Sequence, residues 1–370
     1  MKFNFNKRVA LLKSKLREHK LDAAIISNLK NIYYLSGFKG SNALLLVSAD
    51  ETFKDKFFSD PRYDFQAEQE VANCFEINIM NKGLYTSVVE IIKQTQNMKT
   101  IGLETCHIIY DMHQFLQKEL PHHSLMTLGN IVKSLRLRKD ELEVKFIKKA
   151  ISISQKALMQ TLPFIVPGVR ELDIANKLEF SMKELGADHL AFDIIVAAAA
   201  CSSMPHARAT KSRLKTGDCV KIDFGCSVCG YNSDLTRTFF LDKISRKFKE
   251  VYKNLKEVQS YALHYIKPGL PAKELDAKIR EMMAKDGLEK YFTHSLGHGV
   301  GLDVHEDPVI FSKSEFILEE NMVFTIEPGV YFKENFGFRI EDMVLVTKNG
   351  CEVLSSLPKE EEEIIIGTAS

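Results

Sequence analysis

The sequence lacks long apolar runs, and no segment approaches the length of a membrane span. Residues 1–12 alternate charged with apolar residues, so we expect no secretory signal there. The chain also lacks an excess of charge of one sign, because 50 basic residues stand against 49 acidic ones for a formal net charge of +1. These absences give no electrostatic reason to expect a membrane or a nucleic acid as partner.

The sequence lacks a second pair of closely spaced cysteines. The seven cysteines are odd in number and scattered, which predicts reduced thiols in a cytoplasmic protein. Cys226 and Cys229 form the one C-x-x-C pair, and no second pair completes a zinc site. We expect this pair to occupy a turn.

The chain has 370 residues, 45% of them hydrophobic and 27% charged, which suits one large and one smaller globular domain. Strands mixed with helices in the first part predict an α/β domain. The predicted helices span residues 7–19 and 63–71, and the predicted strands 23–26, 43–47 and 57–60, with a loop around 31–38. We place the N-terminal domain at 1–132, a linker at 133–139 that contains a short strand, and a C-terminal domain at 140–370 whose first helix begins near Asp140.

The C-terminal domain contains a faint internal repeat. Residues 165–173 resemble residues 266–276, and in both segments a helix ends at Pro-Gly before a new one starts. Residues 214–225 align without gaps with residues 318–329, which places Asp223 opposite Glu327. Chance is the alternative, since turns commonly carry Pro-Gly, but the match of acid with acid favours a duplicated half-domain.

Two carboxylates lie in segments that otherwise look like buried strands. Asp223 belongs to the apolar run 220–224, and Asp234 precedes a second strand at 235–241. Gly225 and Gly230 bracket a turn between them, so we predict a hairpin with an acid on each arm. Buried acids on neighbouring strands repel each other, and a cation between them would stabilise both.

Further candidate ligands follow downstream. Residues 293–308 hold three histidines in a glycine-rich segment, Glu327 ends the strand 322–327, and Glu341 lies inside an apolar strand at 338–346. Four oxygen ligands and one nitrogen ligand suit a pair of Mn²⁺, Fe²⁺ or Co²⁺ ions better than a thiolate-based zinc site. The set is Asp223, Asp234, His298, Glu327 and Glu341.

This ordered set resembles that of the pita-bread metallopeptidases, the family of Xaa-Pro aminopeptidases, prolidases and methionine aminopeptidases. The resemblance covers nearly the whole chain and implies an α+β pita-bread domain of duplicated half-domains, preceded by a smaller creatinase-like α/β domain. It implies two divalent metal ions per subunit, most simply Mn²⁺, with Co²⁺, Fe²⁺ and Zn²⁺ as alternatives. Asp223 would hold one ion, His298 and Glu327 the other, and Asp234 and Glu341 would bridge them.

The resemblance also implies roles around the metal ions, in a reaction in which a metal-activated hydroxide attacks the peptide bond. Thr236, in an Asp-x-Thr-Arg-Thr signature, and Arg339 would orient the bridging acids, and Glu327 would carry a proton to the leaving amine. His206, His294 and His305 match positions around the substrate, where His206 and His305 would bond its carbonyl and the developing oxyanion. For each histidine the alternative is a structural core residue. The segment 196–203 lacks a glycine common in the family, and Ser295 replaces another.

The N-terminal part implies the subtype, because methionine aminopeptidases have no comparable domain. Residues 37–41 and 60–63 resemble proline-directed members, which implies peptide substrates with proline in the second position and a homodimer. Arg62 would recognise the substrate end, with a surface ion pair as the alternative. The leading hypothesis is an Xaa-Pro aminopeptidase; a prolidase restricted to dipeptides and a non-catalytic binding module are the rivals. Retention of all five ligands argues against the last.

Overall fold

A computed structural model describes residues 3–367. The chain divides into two compact units between Arg136 and Leu137. The first two residues of the predicted domain 1–132 and the last three of the predicted domain 140–370 lie outside the described residues. Within residues 3–367, no helix is both long enough and apolar enough to cross a membrane.

The N-terminal unit alternates helices with strands. Its helices are α1 (Phe5–Glu18), α2 (Leu29–Ser36), α3 (Asp64–Glu70), α4 (Leu84–Gln94), α5 (Tyr110–Glu119) and α6 (Ile131–Arg136). Its strands are β1 (Ala23–Ile26), β2 (Leu44–Ser48), β3 (Lys56–Ser59), β4 (Glu76–Ile79), β5 (Thr100–Leu103) and β6 (Ser124–Thr127). The strands form one six-stranded sheet in the order β4-β3-β2-β1-β5-β6. Strand β1 pairs in parallel with β5 and antiparallel with β2, and all its residues are buried, as expected for a sheet covered on both faces.

Two predictions for this unit are wrong. The predicted loop around 31–38 is largely helix α2, because the Asn28 side chain accepts from the backbone N–H groups of Lys30 and Asn31 and caps its first turn. Gly37 ends the helix with a φ of 87°, a left-handed conformation that glycine adopts without steric cost. The short strand predicted within the linker is also absent among the described residues, since helix α6 extends to Arg136.

The C-terminal unit contains more strands, and their lengths vary more widely. Its helices are α7 (Glu141–Thr161), α8 (Glu171–Glu184), α9 (Arg246–Tyr265), α10 (Ala272–Lys285) and α11 (Glu361–Ile364). Its strands are β7 (His189–Leu190), β8 (Ile195–Ala198), β9 (Cys219–Phe224), β10 (Cys226–Val228), β11 (Tyr231–Asn232), β12 (Leu235–Leu241), β13 (Gly297–Gly299), β14 (Glu306–Ile310), β15 (Val323–Ile326), β16 (Gly329–Phe332), β17 (Phe336–Arg339), β18 (Asp342–Val346), β19 (Cys351–Val353) and β20 (Ile365–Ile366). Helix α7 begins where the sequence predicts, because Asp140 and Glu143 form a capping box.

Two sheets carry most of the C-terminal core, with strand orders β20-β12-β9-β8 and β14-β13-β15-β18-β19. They are related by the internal repeat. The N–H of Gly168 donates to the carbonyl of Leu214 at 2.8 Å, and the N–H of Gly269 donates to that of Leu318 at the same distance. Both glycines have a positive φ, 90° and 85°. The repeat therefore corresponds to two half-domains with the same local hydrogen bonding, as a pita-bread fold requires.

The predicted hairpin is only partly right. Strands β9 and β12 pair antiparallel as expected, but the chain between them forms a second, smaller hairpin, β10–β11, which pairs with β7 in another sheet. Cys229 and Gly230 form its turn, and Cys226 lies on its first strand. Glu341 does not lie inside a strand, because β17 ends at Arg339 and β18 begins at Asp342. The break leaves Glu341 free to face a neighbouring strand.

Candidate metal centre

Five strand ends bring the predicted ligands to one place. Asp223 lies on β9, Asp234 immediately precedes β12, and His298 lies on β13. Glu327 follows β15, and Glu341 occupies the break between β17 and β18. The ladder between β9 and β12 sets Asp223 opposite Thr236, and an isolated bridge sets Thr236 opposite Glu341.

The ligand atoms of these side chains lie close enough for shared coordination. One group, Asp223, Asp234 and Glu341, offers oxygen atoms that all lie within 4.8 Å of one another. A second group, His298, Glu327 and Glu341, meets the same criterion. Glu341 belongs to both groups, which is the arrangement that two neighbouring cations with a bridging carboxylate would need.

The crowding of carboxylates perturbs their protonation. Burial, followed by the charges of Glu341 and Asp223, raises the pKa of Asp234 well above its ordinary value. Burial and then the charges of Glu327 and Asp223 do the same to the pKa of Glu341. Burial also raises the pKa of Glu327 to about 7, although the charge of Arg339 opposes the rise. Without a cation, this cluster would therefore take up protons near neutral pH.

The side chains also fit a cation in detail. The Oδ1 atom of Asp223 is buried and has no hydrogen-bond partner, a costly state that a metal ion would relieve. The Nδ1 atom of His298 lies 3.2 Å from the carbonyl oxygen of Gly299, which assigns its proton to Nδ1 and leaves Nε2 as the ligand atom. That Nε2 lies 3.4 Å from Glu327 Oε1 and 3.6 Å from Asp234 Oδ2, beyond hydrogen-bond contact.

Thr236 and Arg339 hold the acids in place. The Thr236 hydroxyl donates to Glu341 Oε2 at 2.6 Å and accepts from Arg339 Nε at 2.9 Å. Another guanidinium N–H of Arg339 donates to Asp223 Oδ2. Both side chains are buried, so these bonds are shielded from water and orient the carboxylates firmly.

The three candidate substrate histidines all line a cavity of ≈ 740 Å³ that also contains the five ligands. His206 and His305 are exposed, and the ring of His305 lies 4.3 Å from that of His298, measured between centroids. His294 differs. Burial, followed by the charge of Arg339, lowers its pKa to about 3, so the ring is neutral. Its Nδ1 contacts the Ser295 carbonyl at 2.8 Å, and its Nε2 contacts the Tyr331 hydroxyl at 3.0 Å, so both ring nitrogens are engaged.

Two buried side chains that contact residues lining the cavity were not identified from the sequence. The Tyr331 hydroxyl accepts from Arg339 Nη1 at 2.9 Å, and burial raises its pKa to about 12, so it remains a donor to His294. Lys221, on β9, donates to three backbone carbonyls in the segment before His206. Burial and the charge of Arg339 lower the pKa of Lys221, whereas its three acceptors favour the protonated form.

Arg62 lies in the N-terminal unit and forms a two-bond ion pair. Its Nε donates to Asp60 Oδ1 at 2.8 Å and its Nη2 to Asp60 Oδ2 at 2.9 Å. The arginine side chain is 75% exposed. This is the geometry of the surface ion pair that the sequence analysis gave as the alternative to substrate recognition.

Comparisons with known proteins match both units. Residues 145–348 match the model for metallopeptidase family M24, and residues 8–138 match that for the creatinase/prolidase N-terminal domain. The chain is 35% identical to an Xaa-Pro dipeptidase of Pyrococcus horikoshii, over 96% of this chain and 98% of the relative. Among solved structures, it resembles an Xaa-Pro dipeptidase of Bacillus anthracis (TM-score 0.93, 34% identity, covering 96% of this chain and 99% of that one). It also resembles an X-Pro aminopeptidase of Thermotoga maritima (TM-score 0.86, 36% identity, 94% and 99%).

Proposed function

Because the chain belongs to metallopeptidase family M24 and is a metallo-exopeptidase, we propose that it hydrolyses the first peptide bond of substrates that carry proline in the second position. The observation that carries this proposal is the buried set of four carboxylates and one imidazole around a single cavity. Relatives that cover nearly the whole chain and are named for Xaa-Pro substrates support the choice of proline.

We propose two divalent cations per subunit, with Mn²⁺ as the first candidate and Co²⁺, Fe²⁺ and Zn²⁺ as the others. Asp223 would bind one cation, His298 and Glu327 the other, and Asp234 and Glu341 both; the two ligand groups that share Glu341 support this pair. The absence of thiolates from this set favours the harder ions. When bound, such cations lower the pKa of a water molecule towards neutrality and polarise the peptide carbonyl.

The chain's own groups would then orient the substrate and move the proton. Glu327 would take the proton of the attacking water and deliver it to the proline nitrogen, a role supported by its buried position beside His298. His206 and His305, whose rings line the cavity, would donate hydrogen bonds to the substrate carbonyl and the oxyanion. His294, engaged at both nitrogens, would fix Tyr331 and Arg339 in place.

Two substrate ranges are compatible with this site. Removal of the first residue from longer peptides is the leading hypothesis from the sequence and is supported by the likeness to the Thermotoga X-Pro aminopeptidase. Restriction to Xaa-Pro dipeptides is supported by the two relatives named as dipeptidases. We also propose a homodimer that forms through the N-terminal unit, for which light scattering should give twice the chain mass of 42.1 kDa.

A substrate panel tests the activity. Chelated protein reloaded with Mn²⁺, Co²⁺ or Zn²⁺ is given Xaa-Pro dipeptides, Xaa-Pro-Xaa tripeptides and matched peptides with alanine in place of proline. We expect turnover that requires metal and proline. Release of the first residue from the tripeptides indicates the aminopeptidase, and turnover of dipeptides alone indicates the prolidase. Failure to cleave any proline peptide under all three metals refutes the proposed function.

The metal assignment is tested by Asp234→Asn. The amide keeps the shape of the side chain but removes a charged ligand, so we expect loss of bound metal by elemental analysis and loss of metal-dependent turnover. Asp286→Asn, at an exposed aspartate of the same unit, is the matched control and should keep both. Unchanged metal content in Asp234→Asn would refute the assignment.

A further inference from the structure

We propose that Lys221 is a positioning residue, which acts through the segment 199–205 to hold His206 at the cavity wall. The role of His206 in this inference rests on the proposed peptidase function. The hydrogen bonds from Lys221 to the segment, which we call the tether, are observed directly in the structure. Lys221 is completely buried on the central strand β9.

The side chain of Lys221 donates its hydrogen bonds to one short stretch of backbone. Its Nζ donates to the carbonyl oxygens of Ser202 at 3.1 Å, Met204 at 2.7 Å and Pro205 at 3.3 Å. The three acceptors lie within four consecutive residues, so the hydrogen bonds of this side chain are all directed at one segment. Within residues 3–367, no carboxylate lies within ion-pair distance of Lys221, and the centroid of the Tyr331 ring lies 4.9 Å from its Nζ. A buried amino group without hydrogen-bond partners is costly, and the three carbonyls supply those partners.

The middle of the segment has little regular structure and is held by individual hydrogen bonds, which include Gly337 N–H to Ser202 Oγ at 2.8 Å and Arg339 Nη1 to the Pro205 carbonyl at 3.3 Å. After the short 3₁₀ turn Ala199–Ser203, the chain forms no helix or strand until Cys219. The ends are fastened by the buried Glu171, whose carboxylate accepts from the N–H of Ala198 at 2.8 Å and from the N–H of Thr210 at 3.0 Å. Between these ends, Lys221 bonds three of the backbone carbonyls, and the last of them, that of Pro205, directly precedes His206.

The same strand also orients the metal ligand. Residues two apart on a strand point to the same face of a sheet, so Lys221 and Asp223 face the same side of β9. Arg339, which bonds Asp223, also donates to the Pro205 carbonyl at 3.3 Å. Strand β9 therefore sets the distance between the metal ligand Asp223 and the segment that carries His206.

Hydrogen–deuterium exchange tests the tether without any substrate. Lys221→Met keeps the apolar stem and removes every hydrogen-bond donor, so the amides of residues 199–204 and 206 should exchange about ten-fold faster than in the native chain. Lys221→Gln, which keeps two N–H donors on a shorter stem, should give an intermediate rate and serves if the first variant folds poorly. Lys13→Met removes a buried, ion-paired lysine of the other unit and should leave this segment unchanged. Unchanged exchange in both Lys221 variants would overturn the proposal.

A double-mutant cycle then tests whether the tether acts through His206. In the native background, Lys221→Met should lower kcat/KM by about 10–100-fold at unchanged metal content. In the His206→Ala background, the same change should lower it by less than about two-fold, because the group that Lys221 positions is already gone. Equal losses in both backgrounds would overturn the positioning role. If the Lys221 variants exchange faster but the native chain cleaves no proline peptide, the proposed function is refuted and the structural role of Lys221 is supported.

Discussion

The guanidinium of Arg339 serves three side chains at once. It donates to the Asp223 carboxylate, to Thr236 Oγ1 at 2.9 Å and to the Tyr331 hydroxyl at 2.9 Å. The planar guanidinium, with five N–H groups, reaches these three side chains and the Pro205 carbonyl in fixed directions, whereas a lysine ammonium is a single point of charge. The orientation of the acids therefore depends on the shape of this side chain as well as on its charge.

Arg339→Lys should lower kcat/KM for an Xaa-Pro substrate by about 10–100-fold and weaken Mn²⁺ binding, because the charge stays but most of the oriented bonds are lost. Steady-state kinetics and metal titration measure the two effects. Arg170→Lys is the matched control, since half-buried Arg170 also makes a two-bond contact, with Asp173, and should change kcat/KM by less than about two-fold. Similar losses of kcat/KM in the two variants would contradict the claim that the shape of Arg339 orients the acids.

At the residue scale, a sequence can point to a group that is out of place in its local pattern. Asp223 stands out because a carboxylate in an apolar strand needs a partner, and the structure places it beside the other candidate ligands. Tyr331 gives no such signal, because a tyrosine in a strand is ordinary and its bond to His294 depends on tertiary structure. Lys221 does break the apolar pattern of β9, but its acceptors lie in an irregular segment whose course the sequence does not predict.

At the scale of elements, strand β13 lies very close to strand β15 at Gly297. A Cβ atom at Gly297 would overlap the carbonyl oxygen of Thr325 on β15. The neighbouring Leu296 carbonyl accepts from the N–H of Glu327 at 2.8 Å, and His298 follows Gly297 directly. The spacing of these two strands thus sets the separation of His298 and Glu327.

Gly297→Ala should push β13 and β15 apart, destabilise the chain by ~1–3 kcal/mol and weaken Mn²⁺ binding. Thermal unfolding with chelator measures the first effect, and metal titration the second. Gly83→Ala is the control, because the nearest neighbour of its Cβ would be Thr86 Oγ1 at an ordinary 3.5 Å. Normal metal affinity in Gly297→Ala would show that the strand spacing does not govern the site.

Elements with strong local patterns were predictable, and those that depend on capping or tertiary pairing were not. The apolar strands β9 and β12 and the capped start of α7 follow from periodicity and end signals. Helix α2 was missed because its signal is two single residues, Asn28 and Gly37, rather than a periodic pattern. The strand break at Glu341 was missed because it is set by the bridge to Thr236, over a hundred positions away.

For the whole molecule, duplication explains why the site lies where it does. The first half-domain contributes Asp223 and Asp234, and the second contributes His298, Glu327 and Glu341. The ungapped match of residues 214–225 with 318–329 was sufficient to predict this architecture, because equivalent strands of two half-domains place equivalent residues near the pseudo-two-fold axis. Because acids from both half-domains are buried in one cluster, we expect pH to change the stability of the entire C-terminal unit.

The sign of that pH effect follows from the raised pKa of Glu327. A carboxyl group whose pKa rises from an ordinary 4.5 to about 7 on folding binds its proton more tightly in the folded chain. In the metal-free chain, this tighter proton binding stabilises the fold by roughly 3 kcal/mol below pH 4.5. The stabilisation is lost as the pH rises through about 7. Buried histidines act in the opposite direction, since burial lowers the pKa of His298 to about 4. Isolating Glu327 therefore requires a comparison in which the histidines are unchanged.

Glu327→Gln provides that comparison, because glutamine is neutral at every pH and the histidines remain. In chelator, the difference in melting temperature between variant and native chain should shift in favour of the variant between pH 5 and pH 8. With saturating Mn²⁺ at pH 8 the order should reverse, since the native carboxylate then has a cation to bind. Glu184→Gln, at an exposed glutamate of the same unit, should show neither trend. A pH-independent difference in chelator would mean that Glu327 ionises in the folded chain as it does in the unfolded one, and that the cluster does not need a cation.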